Sequence, residues 1–168
     1  MAITPKAQMV IERYESLKAQ RSTWEEHWQD IADYFLPRKS NITIKHTKGN
    51  KRHDQMYDGT ATHALELLAA SLNGMLTNTI SPWFILKYRN EAINKDDQAV
   101  EWLESCAKIM QQAFQRSNFQ QEVFELYHEL LAFGTSAMFI SEDVEDDLRF
   151  KTIHISEIFI TENEKGFV

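Results

Sequence analysis

The chain has 168 residues, with 25 acidic and 18 basic side chains and a formal net charge of −7 at pH 7. This length fits one domain, or one and part of a second, and it is sufficient for a buried core. Because Cys106 is the one cysteine, an intrachain disulfide and a cysteine zinc cluster are excluded, and a reducing compartment is indicated. The sequence contains neither a membrane-length apolar run nor the pattern of a signal peptide at residues 1–10, and the acidic total argues against a surface that wraps nucleic acid.

The first predicted helix carries an apolar stripe that runs from Val10 to Phe35 at spacings of three, four and seven residues. Ser22 and Glu25 match a capping box, which leaves open whether this stripe is one helix or two helices with a break near Ser22. Trp24 and Trp28 fall on the stripe, and we expect both to pack in the core.

A basic segment follows. Residues 38–53 contain six basic side chains and no acidic one, together with turn-forming residues, which is typical of a loop or ribbon. Such a run is either a solvated loop or a contact for phosphate groups or for a neighbouring subunit. The candidate contact residues are Arg38, Lys39, Lys45, Lys48, Lys51 and Arg52. His46 and His53 lie in the same segment, but a metal site needs more ligands.

A second helix is predicted to begin at a cap formed by Asp58 or Thr60 and to end before Pro82. Apolar residues occur on nearly all its sides, so we expect it to be deeply buried. The aromatic and branched residues 83–88 predict a strand.

The third helix is predicted to begin near Asp96, and Cys106 lies near its apolar stripe as a small buried side chain. The fourth helix is predicted to begin at Asn118, with Gln121 as the second member of a capping pair. Gly134 is predicted to end this helix.

The hydrophobic period then changes to two, which predicts strands at 136–141, 148–155 and 157–162. An acidic turn at 142–147 separates the first two strands. A hairpin turn at 163–166 would leave the preceding strand with an open edge. We therefore expect the sequence to be part of a longer chain.

These elements predict an α+β fold, mainly α, in which about four helices pack together and are followed by short antiparallel strands. We divide the chain into an N-terminal helical segment at 1–36 and a basic loop or ribbon at 37–57. A helical core with one strand follows at 58–135, and antiparallel strands occupy 136–168.

Catalytic and metal-binding patterns are weak. Glu125 and His128 form one Glu-x-x-His pair, whereas a di-iron bundle needs two such pairs and two further glutamates. Gly134 and Ser136 lack the second glycine of a nucleophile elbow, and the acidic turn lacks the glycine-centred calcium loop. We predict no enzyme, no catalytic residue, no cofactor and no metal site.

Three blocks of the sequence, in order, share motifs with one family. Residues 13–38 include Trp-Glu-Glu-His-Trp and Tyr-Phe-Leu-Pro-Arg, residues 57–84 include Ala-Leu-Glu-Leu-Leu-Ala-Ala and Ser-Pro-Trp-Phe, and residues 127–166 include Phe-Gly-Thr-Ser-Ala-Met. With these blocks the chain resembles the portal, or head-to-tail connector, proteins of short-tailed, T7-like bacteriophages. It resembles their N-terminal, wing-side part only, since family members are much longer.

The resemblance implies a structural virion protein, made in the bacterial cytoplasm, that forms a ring of twelve subunits at one capsid vertex. It implies capsid and scaffold proteins, terminase, tail adaptors and double-stranded DNA in the channel as partners, and no membrane. Structural roles are implied for the matched motif residues Asp58, Gly59, Thr60, Leu68, Ala69, Gly74, Leu76, Thr77, Pro82, Trp83, Phe84, Gly134 and Thr135.

A second hypothesis is a stand-alone α+β module whose 38–53 loop binds nucleic acid or a protein partner. Steep salt dependence of DNA affinity would favour it. An unrecognised enzyme ranks last, because no set of titratable residues suggests a shared pocket.

Overall fold

The computed structural model describes residues 4–44, 47, 49, 58–145 and 147–167. In this part of the chain it contains four α-helices, one two-stranded sheet and three 3-10 turns, which confirms the mainly helical α+β class. The helices and strands are α1 (Pro5–Phe35), α2 (Thr60–Leu76), α3 (Asp97–Arg116), α4 (Phe119–Phe133), β1 (Ala137–Asp143) and β2 (Asp147–Ile153). The 3-10 turns are Pro37–Lys39, Ile93–Lys95 and Ile155–Glu157.

The hydrophobic core forms around α4, which packs against α2 on one side and β2 on the other. Its fully buried members are Ala69, Phe119, Val123, Tyr127 and Phe150. Aromatic rings account for much of its area. The Phe119 ring stacks on Phe114 at 4.8 Å between centroids and meets Phe150 edge-on at 5.1 Å. Such offset and edge-on pairs add to the stabilisation from apolar burial.

The hairpin is antiparallel, with Ala137 opposite Ile153 and Asp143 opposite Asp147. Strand β2 of the hairpin is held in place by the residue that precedes α4. The Asn118 side chain accepts a hydrogen bond from the Phe150 N–H at 2.9 Å and donates to the Phe150 carbonyl at 2.8 Å. Asn118 immediately precedes α4, as predicted. The prediction that its side chain caps the helix is wrong, because that side chain bonds to Phe150 instead.

Two predicted strands are absent. Residues 83–88 form no regular secondary structure and pair with no strand of the described chain. At the end of this segment, the Asn94 side chain takes up the backbone N–H and carbonyl of Tyr88, and Trp83 packs against Phe119 at 5.8 Å. Residues 157–162 form the end of a 3-10 turn and an extended segment rather than a strand.

Helix α1 is continuous, so the alternative of a break near Ser22 is wrong. The Ser22 hydroxyl donates to the carbonyl of Ala19, and Glu25 pairs with Arg21 instead of closing a capping box. The core prediction is also wrong for Trp24, which is 59% exposed. Trp28 is half-buried.

The prediction that the second helix is deeply buried is wrong as well. Only Leu65 and Ala69 of α2 are buried. Leu72 is half-buried and packs against the core, whereas most other large apolar side chains of the helix face outward. The exposed ones are Leu67, Leu68, Met75 and Leu76. The described helices include none long and apolar enough to cross a bilayer.

A buried carboxylate connects three elements. Glu129 of α4 is 1% exposed. One of its oxygens accepts a hydrogen bond from Nδ1 of His154, the residue just after β2, at 2.8 Å. The other accepts a hydrogen bond from Nζ of Lys39, in the turn after α1, at 3.0 Å. Lys39 also pairs with the more exposed Glu125. Because a buried carboxylate without partners is very costly, these contacts hold the three elements in one arrangement.

Arg21 ties the C-terminal segment to α1. Its guanidinium donates to the carbonyls of Ile158 at 2.6 Å, Ser156 at 3.2 Å and Ile155 at 3.3 Å. It also lies 4.0 Å from the centroid of the Phe159 ring. The planar guanidinium can serve several acceptors and a ring at once, which an ammonium group cannot.

Replacing Glu129 by Gln is expected to lower the free energy of unfolding by about 3 kcal/mol, because it removes the buried carboxylate that pairs with Lys39 and accepts the His154 hydrogen bond. Urea unfolding followed by circular dichroism measures this change. The matched control is Glu125→Gln, which removes the exposed partner of the same lysine and is expected to cost less than about 1 kcal/mol. Equal effects of the two substitutions would contradict the role given to Glu129.

The same network predicts an acid limit for stability. Burial raises the pKa of Glu129, but hydrogen bonds and charge from His154 and Lys39 outweigh burial and place the pKa below its ordinary value of 4.5. A lowered carboxyl pKa contributes stability that is present above pH 4.5 and is lost as the pH falls through the folded-state value. The wild-type chain should therefore lose stability more steeply than Glu129→Gln below this pH. If the free energies of unfolding of the two chains, measured in urea, fall equally with pH, Glu129 is not the source of the acid sensitivity.

Replacing Arg21 by Lys is expected to loosen residues 155–160, because one ammonium group cannot keep all three carbonyls and the ring contact. Hydrogen exchange by mass spectrometry should show faster exchange in this segment, with little change in α4. Arg13→Lys on the exposed part of α1 is the control. Unchanged exchange at 155–160 would show that other contacts hold the segment.

Candidate functional site

The basic segment begins at the end of α1, where one buried amide fixes its first residues. Gln29 Oε1 accepts hydrogen bonds from the backbone N–H groups of Ile42 at 3.2 Å, Thr43 at 2.9 Å and Ile44 at 3.3 Å. Gln29 Nε2 donates to the Ser40 carbonyl at 2.8 Å. Gln29 therefore fixes the backbone at residue 40 and at residues 42–44.

The predicted contact residues do not form one described patch. Arg38 and Lys39 lie in the turn after α1, and Lys39 is held by Glu125 and Glu129. These carboxylates raise the pKa of Lys39 even though burial, the largest single influence, lowers it. Lys39 therefore serves the fold. The other four candidates, with His46 and His53, lie outside the described residues; they are Lys45, Lys48, Lys51 and Arg52.

A cleft of about 440 Å³ separates this turn from the start of α2. Arg38, His63 and His128 line it together with Glu66 and Glu125. Groups of both signs face the same space, so the cleft has no single charge preference. His128 Nδ1 lies 2.9 Å from the carbonyl of Phe124, and the Glu125–His128 pair of the sequence is therefore engaged in structural contacts.

Asp58, Gly59 and Thr60 form a local hydrogen-bonded arrangement at the start of α2. The Asp58 carboxylate accepts hydrogen bonds from the Thr60 hydroxyl at 2.5 Å and the Thr60 N–H at 3.1 Å, and these bonds lower the pKa of Asp58. Gly59 is the residue immediately before the helix. The sequence predicted Asp58 or Thr60 as the cap, but the N-cap residue is Gly59, and no N-cap side chain bonds to the helix.

The remaining motif residues of α2 divide into a buried and an exposed group. Ala69 is in the core, and Thr77 is buried and receives a hydrogen bond from the Tyr127 hydroxyl at 3.3 Å. Leu68 and Leu76 face outward, and the space around the position of a Gly74 side chain is open. Burial therefore accounts for a structural role of Ala69 and Thr77, but it does not account for one of Leu68, Gly74 or Leu76.

The motif residues after α2 have structural surroundings. The Trp83 ring packs nearly parallel to Phe114 at 6.1 Å and to Phe119 at 5.8 Å, and Phe84 meets Phe114 edge-on at 5.9 Å. Pro82 precedes them in the extended segment. Gly134 has φ of 74°, the left-handed conformation that ends α4 as predicted.

Thr135 lines a groove of about 460 Å³ between α1 and the C-terminal segment. The other walls include Trp24, Trp28 and Phe133. In the described part of the chain, no group of three or more acidic, histidine or cysteine side chains is placed to hold a metal ion.

Sequence reasoning missed the polar residues that organise this region. Arg21, Glu25, Gln29 and Ala32 form an inward row on α1, at spacings of four, four and three residues. This row lies beside the apolar stripe that was predicted to face the core. The helical spacing was its only signal, because polar side chains on one helix face usually indicate a solvated surface.

Comparison with known proteins identifies relatives along the entire chain. The family model described as "Bacteriophage head to tail connecting protein" matches residues 7–168. A "Probable portal protein" of Bordetella phage BPP-1 is 29% identical and a "Portal protein" of Salmonella phage epsilon15 is 28% identical, each over the whole of this chain. The chain spans 30% of the length of both relatives. It therefore belongs to the bacteriophage head-to-tail connecting protein family.

Proposed function

We propose that this chain is the N-terminal part of a phage portal subunit, the head-to-tail connector. The observation that carries the proposal is the match to two portal proteins along the whole chain, from the helical segment to the C-terminal turn. In this role the protein forms a ring at one capsid vertex through which DNA is packaged and later ejected.

The exposed surface supports an assembly role. Large apolar side chains are solvent-exposed on all four helices and on the hairpin, although a monomeric protein usually exposes such residues singly. Met75, Ile80 and Val144 are each at least 79% exposed. In a ring of identical subunits, heterologous interfaces bury surfaces of this kind.

The proposal includes a ring of twelve copies, with terminase, capsid, scaffold and tail adaptor proteins as partners and the virion as its location after synthesis in the host cytoplasm. It includes no catalytic chemistry. The buried ionisable groups support this, because Glu129, His154 and Lys39 are engaged with one another in holding the fold.

The proposal predicts self-association. Sedimentation velocity at chain concentrations from micromolar to about 1 mM is expected to show oligomers that grow with concentration, and negative-stain electron microscopy is expected to show arcs or closed rings. Because apolar faces drive the assembly, it should persist at high salt. A chain that stays monomeric over the whole range would contradict the proposal.

The second candidate is a nucleic-acid-binding module, which the acid-free basic segment at 38–53 favours. This function predicts affinity for duplex DNA that falls steeply with salt, and serine at Lys45, Lys48, Lys51 and Arg52 should flatten the slope. Fluorescence anisotropy with a labelled duplex measures both effects. For the portal subunit we expect weak binding, since fixed phosphate contacts would slow DNA in a channel. No binding at low salt would exclude the module.

A further inference from the structure

The N-terminal part of α1 extends beyond the body of the protein. Residues 5–16 are exposed, and Tyr14 makes an edge-on contact with Phe159, at 5.0 Å between ring centroids. Thirteen residues, 5–17, form a helical arm about 20 Å long at 1.5 Å per residue. Leu17, at the end of the arm, is half-buried, whereas residues 5–16 are exposed in the described chain.

One face of the arm is apolar and basic. Lys6, Val10, Arg13 and Leu17 recur at spacings of four, three and four residues, which aligns them on one side of the helix. Val10 is 67% exposed, and Met9 beside it is exposed as well. The acidic residues of the arm, Glu12 and Glu15, lie on the other side. We call Lys6, Val10, Arg13 and Leu17 the arm row.

Helix α3 presents a complementary surface. Trp102 and Ile109 lie seven residues apart on one helix face, with Ser105 between them, and they are 59% and 64% exposed. The Trp102 ring stacks on Tyr88 at 6.4 Å, which fixes its orientation. We call Trp102, Ser105 and Ile109 the α3 row.

The two rows match in spacing and in charge. Val10 and Leu17 have the same seven-residue separation as Trp102 and Ile109, which suits side-by-side helix packing. Basic residues occupy the alternate positions of the arm row. Beside the α3 row, the adjacent helix positions 97, 101, 104 and 108 carry three acids and one lysine. Opposite charges at the rim favour this pairing and its register.

We propose that the arm row docks on the α3 row of a second copy of this chain. The contact uses two different surfaces, one on each copy, and is therefore heterologous, as a closed ring requires. The inference rests on the proposed portal function and assigns one of its subunit contacts. A single short helix buries less than a standard interface of about 1,600 Å², so this contact acts together with others in a ring.

Complementary variants test this pairing. Val10→Asp disables the arm and Ile109→Asp disables the α3 row, since each places a charge in an apolar contact. In sedimentation velocity up to about 1 mM, each variant alone should associate at least roughly tenfold more weakly than wild type. An equimolar mixture retains one intact arm and one intact α3 row, so it should form a one-to-one heterodimer.

Ile11→Asp is the matched control, because Ile11 is an exposed residue of the same arm but lies about 100° around the helix from Val10. It should associate like wild type. Unfolding curves check that all variants remain folded. If wild type assembles and Val10→Asp assembles equally well, or if the mixture stays monomeric, the inference is wrong and the portal proposal stands. If wild type itself never associates, both fail.

Discussion

The carboxylate of Glu129 is the constraint on which the rest of the structure depends. It is buried on α4, where His154 and Lys39 are its hydrogen-bond partners among the described residues. His154 follows β2, and Lys39 follows α1. The segment after α1 and the segment after β2 must therefore both pack against α4 before the Glu129 carboxylate has its hydrogen-bond partners. Replacing every member of such a buried network by apolar side chains often costs little, so its value here is the geometry that it imposes.

Around this point the fold uses polar contacts where a larger protein would use apolar ones. Gln29 holds the first residues of the basic segment, Asn118 holds β2, and Arg21 holds the C-terminal segment. The aromatic cluster around Phe119 provides the compact apolar core. Much of the apolar surface is left outside, on α2 and on the arm of α1. A protein that assembles with copies of itself needs both features: fixed internal geometry and unburied apolar faces.

Helix α1 shows where reasoning from the sequence was reliable and where it was not. Its periodicity predicted the helix and nearly its bounds. It predicted the wrong inward face, because the apolar stripe was assigned to the core. The structure turns Arg21, Gln29 and Ala32 toward the body and leaves Trp24 outside. A side chain whose polar atoms find backbone partners can be buried at little cost, and a single sequence does not reveal those partners.

The sequence by itself determined the four helices, the hairpin after Gly134 and the family, since these follow from local spacing, turn chemistry and motifs. Only the tertiary structure decided which faces are buried and whether an extended segment becomes a strand. Residues 83–88 have strand-like composition, but the Asn94 side chain takes up the backbone N–H and carbonyl of Tyr88, and no strand of the described chain pairs with them. Strand pairing and burial depend on residues distant in the sequence. The local sequence pattern predicts the backbone conformation of a segment, and contacts with distant residues decide whether that segment is buried or paired in a sheet.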